Sequence, residues 1–105
     1  MNKYKLSKKD YLKKLKKETV DNLKFSIEEE NSKEDIAYRT GKLNGFKYIL
    51  EIMIIRNKKQ VVFLINTISE NIIEKIRNEK LLNGEWYKGF HFALNEGLEV
   101  LEGGN

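Results

Sequence analysis

A chain of 105 residues with 40% hydrophobic and 34% charged side chains suits one domain, burying about 65% of its unfolded surface on folding. It has no cysteine, which excludes disulfides and thiolate metal sites, and no proline, which favours helices. The net charge of +4 is uneven: residues 1–17 hold eight lysines and one aspartate, a charge of +7, and the remainder carries −3.

The lysine-dense start has no apolar core, so no secretory signal is expected, and the longest apolar run, Ile52 to Ile55, is too short to span a bilayer. A cytoplasmic protein without membrane contact is the expectation. Residues 1–6 read as a basic N-terminal arm. Ser7 followed by Asp10 is an N-cap pattern that starts the first helix. Its predicted buried stripe is Leu12, Leu15, Thr19, Leu23 and Ile27, with Lys13, Lys14, Lys17, Asp21 and Lys24 on the wet face and Lys8 and Lys16 at the border. The helix should stop near Glu30.

Ser32 followed by Asp35 is a second N-cap pattern, so the next helix follows a short connection and runs antiparallel to the first. Apolar or small residues cover most of its circumference, leaving a narrow strip of Thr40, Asn44, Lys47 and Glu51. Such a helix belongs at the centre of a small protein or at a subunit interface.

Arg56 to Gln60 reads as a turn. Val61, Leu64, Ile65, Ile68, Ile72 and Ile76 then recur at helical spacing. A rival reading makes Ile52–Ile55 and Val61–Ile65 a strand hairpin on the strength of their β-branched side chains. Asn83-Gly84 is a turn signal, which would start the last helix at about Glu85 and leave Gly103-Gly104 to stop it.

One internal repeat organises the whole. Tyr38 to Met53 aligns with Trp86 to Leu101 at an offset of 48, placing Tyr38 on Trp86, Gly41 on Gly89, Gly45 on Ala93 and Leu50-Glu51-Ile52-Met53 on Leu98-Glu99-Val100-Leu101. Gly41, Gly45, Gly89, Ala93 and Gly97 fall on one face of their helices, where missing side chains let two backbones approach. The expected fold is all-α, a four-helix bundle built from two similar αα-hairpins, residues 7–56 and 58–102.

Catalytic and metal chemistry find little support. His91 is the only histidine and has Asn95, not a carboxylate, one turn on. Glu51 and Glu99 are equivalent in the repeat, but both fall on polar strips, where solvated glutamates are the rule. The glycines lie within helices rather than in a phosphate-binding loop. No enzyme activity, cofactor or metal is expected.

Surfaces remain. Phe92 lies off the apolar arc beside Lys88, which suits an interaction anchor, and Phe63 is a second exposed aromatic candidate. Lys13, Lys14 and Lys17 suit electrostatic capture of a partner. Together with Tyr4 and Tyr11 they also suit weakly selective, salt-sensitive binding of nucleic acid. The greasy girdle Tyr48 to Ile55 offers a third role, a structural homo-oligomer, for instance a homodimer.

The segment Trp86-Tyr87-x-Gly89-x-x-x-Ala93-Leu94-x-x-x-Leu98-Glu99-x-Leu101 resembles a pattern in short proteins encoded by phages and prophages of low-GC bacteria. That resemblance implies an accessory factor that binds and inhibits a host protein or ribonucleoprotein, of anti-CRISPR or other anti-defence type. The basic start departs from the acidic, DNA-mimicking inhibitors among them.

Overall fold

The computed structural model describes residues 7–78 and 81–103. The basic arm, Tyr4 and Gly104 lie outside the described residues. Four helices follow one another: α1 (Lys8–Glu28), α2 (Lys33–Ile55), α3 (Lys58–Asn78) and α4 (Leu81–Glu102). They form a four-helix bundle.

Local chemistry sets most of the boundaries. The Ser7 hydroxyl accepts from the Asp10 amide at 3.1 Å, and the Ser32 hydroxyl accepts from the Asp35 amide at 3.1 Å, each satisfying one orphan donor of a first turn. Helix α1 ends with Glu30 in the left-handed region at φ 56°, the Glu30 amide donating to Ile27 at 3.1 Å and the Asn31 amide to Ser26 at 3.0 Å. This is a Schellman turn with a glutamate where glycine is usual.

Between α2 and α3 the chain turns without strands. The Gln60 amide donates to Asn57 Oδ1 at 2.9 Å while the Asn57 amide donates to Gln60 Oε1 at 3.2 Å. That reciprocal capping box launches α3 directly, so the strand-hairpin reading of Ile52–Ile65 is overturned. The turn read at Asn83-Gly84 is corrected too: both residues lie inside α4, which starts at Leu81, and Gly84 is buried.

Helices α2 and α4 make the most extensive contact, α1 packs on α2 and α3 on α4, and the α1–α4 and α2–α3 contacts are slight. The bundle is therefore squeezed along one diagonal. Glycine is the cause. A Cβ on Gly41 would collide with the Trp86 carbonyl oxygen, one on Gly89 with the Tyr38 carbonyl oxygen, and one on Gly45 would come within 2.6 Å of the Ala93 Cβ. Gly97 receives the end of Ile49. Contact partners rise in number together along the two helices, so α2 and α4 run parallel and in register, related by an approximate twofold that matches the sequence repeat.

The core clusters around this seam: Phe46 and Ile49 of α2, Ala93, Leu94 and Leu101 of α4, Leu12 of α1, and Val61, Ile65 and Ile72 of α3 are all buried. On α1 the buried positions are Leu12, Thr19 and Ser26, seven apart, with Leu15 and Leu23 half-buried. Ile27, placed in the stripe by the sequence reading, is 54% exposed. A contact line repeating every seven residues drifts against the 3.6-residue turn, and by the last turn it reaches Ser26 instead. Thr19 returns its hydroxyl to the Leu15 carbonyl at 2.8 Å, and Ser26 accepts from Asn31 Nδ2 at 3.3 Å, so both are satisfied inside. Because α1 and α3 each pack mainly on one neighbour, Phe25 and Phe63 stay exposed, and because the α2–α3 contact is slight, so do Ile54 and Ile55 at the end of α2.

Candidate macromolecule-binding groove

Where α1 lies against the second half of α2, the hairpin leaves an open groove of about 690 Å³. Lys9, Lys13, Lys16, Lys17 and Lys24 line it from α1, and Lys47 from α2. Their spacing keeps the α1 lysines on one side of the helix, because steps of three, four and seven residues return to nearly the same angle. Val20, Leu50 and Ile54 supply an aliphatic floor, and Asp21 and Glu51 are the acidic members of the lining.

Six ammonium groups against two carboxylates give the groove a strong positive potential, and neighbouring like charges add to one another when they face the same space. The Lys17–Asp21 contact, at 3.5 Å between exposed side chains, cancels little of it. The floor is itself open to solvent at Ile54, which is 69% exposed, so an apolar group of a ligand can reach it. Chemically, such a surface attracts carboxylates or phosphates at its edges and apolar groups at its base.

Lys13 and Lys17 line this groove, whereas Lys14 is exposed and is not part of its lining. Lys9, Lys16, Lys24 and Lys47 belong to it as well, although the sequence marks none of them as a binding residue. The i, i+4, i+7 recurrence of lysine in α1 was the available signal; the position of Lys47 depends on how α2 packs and had none. Phe92 and Lys88 lie elsewhere, since the lining includes no residue of α4. Phe92 is 39% exposed, with the Tyr38 ring at 6.4 Å and the Lys42 ammonium 4.6 Å above its own ring. That cation–π contact already occupies one face of the ring. Lys88 pairs with Glu85 at 3.0 Å. Phe63 is 68% exposed on α3.

In the girdle of α2, Ile49 is in the core and Tyr48, Leu50, Ile52 and Met53 pack against it, leaving Ile54 and Ile55 as its exposed apolar members. Gly41, Gly45, Gly89, Ala93 and Gly97 all lie in the α2–α4 seam and offer no groove to a partner. His91 is half-buried, its Nδ1 3.5 Å from Asn95 Nδ2. Glu51 and Glu99 are exposed and line separate clefts. Among the described residues no three His, Asp or Glu side chains are grouped to hold a metal, and no helix is long and apolar enough to cross a membrane. The chain matches no protein-family model, no curated protein and no solved structure.

Proposed function

We propose that this protein is a non-enzymatic binding factor that occupies an acidic macromolecular partner through the lysine groove of its first hairpin. One observation carries the reading: six lysines from two helices face a single groove over an aliphatic floor. Scattered solvated lysines would not share a cleft. The resemblance of the Trp86–Leu101 segment supports the finer form of the proposal, a phage-borne factor that inhibits or modulates a host macromolecule.

The test is affinity purification from host lysate with the wild-type chain and a Lys13→Glu/Lys16→Glu/Lys17→Glu variant as parallel baits. An acidic partner should co-elute with the wild type and be lost with the variant. Equal recovery by both baits overturns the proposal.

A further inference from the structure

We infer that the occupant of the α1–α2 groove is one acidic, amphipathic helix of a protein partner; the inference rests on the groove being the binding surface. Two antiparallel helices leave a furrow that a third helix fills well, as in any three-helix packing. The lysines of α1 run from Lys9 to Lys24. At 1.5 Å per residue that stretch is about 22 Å long, the length of roughly four helical turns.

Charge and floor together define what such a helix must carry. Val20, Leu50 and Ile54 call for an apolar stripe at i, i+3 or i+4, and i+7, the five lysines of the α1 wall call for Asp or Glu along the flank that meets it, and Lys47 calls for one on the other. Glu51, on the α2 wall, adds one place for a lysine or arginine of the partner.

Nucleic acid fits this groove less well. Its lining has no aromatic ring for bases to stack on and no arginine for bidentate contacts, and both Asp21 and Glu51 stand where a phosphate backbone would run. An aliphatic floor gains nothing from a sugar-phosphate chain. It gains by burying leucine or isoleucine.

The test is a fluorescence-anisotropy titration of the full chain with three labelled probes. They are a helix-forming peptide of about 16 residues with a leucine stripe and glutamate flanks, the same composition scrambled to remove the stripe, and a DNA duplex of matched length, all at about 100 mM salt. The patterned peptide should bind at least about tenfold tighter than either other probe. Ile54→Glu places a carboxylate on the floor at a side chain that is 69% exposed, so the fold should survive, and binding should fall at least about tenfold. Circular dichroism checks the fold of that variant. If the scrambled peptide or the duplex binds as tightly as the patterned one, the helix inference is overturned while capture of acidic partners stands. If no probe binds, both are overturned. Self-association of the chain that Ile54→Glu abolishes would assign the groove to a second copy and overturn the inference.

Discussion

Gly89 on α4 lies so close to the backbone carbonyl of Tyr38 on α2 that a Cβ there would fall on the oxygen, and Gly41 stands in the same relation to Trp86. Tyr38 and Trp86 are the equivalent residues of the repeat, so the contact is made twice across the approximate twofold. Each glycine sacrifices about 1 kcal/mol of helix propensity relative to alanine. Close backbone packing, with Cα–H groups pointed at carbonyl oxygens, offsets that loss.

Alanine at these positions should therefore destabilise despite its better propensity. Gly41→Ala and Gly89→Ala should each lower unfolding free energy by about 2–3 kcal/mol, as overpacking against a rigid backbone does. Gly97→Ala should cost under about 1 kcal/mol, because its Cβ would crowd the end of a side chain, Ile49 Cδ1, rather than backbone, and because the propensity gain offsets the crowding. Urea unfolding of the three variants measures this ranking.

Glu30 carries a second, opposite expectation. It closes α1 at φ 56°, where a side chain is disfavoured and glycine is not. Glu30→Gly should stabilise the protein by about 0.5–1 kcal/mol, raising the thermal midpoint by roughly 2–8 °C. Calorimetry on the variant checks the sign.

Acid sensitivity should concentrate at the α1–α2 turn. Hydrogen bonding from Asn31 Nδ2 at 3.0 Å is the main cause holding the Asp35 carboxyl below its ordinary value of 3.8, against an opposing effect of burial; the Arg39 guanidinium, also at 3.0 Å, adds to the lowering. Its place in the first turn of α2 favours the same charged form. A depressed folded value means the contribution is fully present above 3.8 and is lost as pH falls through the folded value. The stability difference between wild type and Asp35→Asn should thus shrink as unfolding is followed downward from pH 3.8. In an NMR titration, Asn31→Ala should move the Asp35 midpoint back towards 3.8.

Much of the architecture was legible because its determinants are local. Ser7 and Ser32 announce helix starts within three residues, and the glycine face repeats at a fixed offset. Residues 52–65 allowed two readings because β-branched runs suit strands and buried helices alike; the Asn57-to-Gln60 capping box decides for helices, and its Asn-x-x-Gln pattern was there to be read. Ser26 in place of Ile27 was not legible, since the stripe's drift depends on the crossing of α1 over α2. For the groove, the α1 lysines could be read, but Lys47 and Ile54 join them only through the packing of the hairpin.

Where an acidic partner sits is the most direct question to put to this molecule, and amide NMR answers it. Adding an acidic amphipathic peptide to isotope-labelled protein should shift the resonances of Lys13, Val20, Lys47, Leu50 and Ile54, leaving those around Lys88 and Phe92 in place. Shifts gathered at Phe92 or Phe63, with the α1–α2 groove silent, would contradict the account.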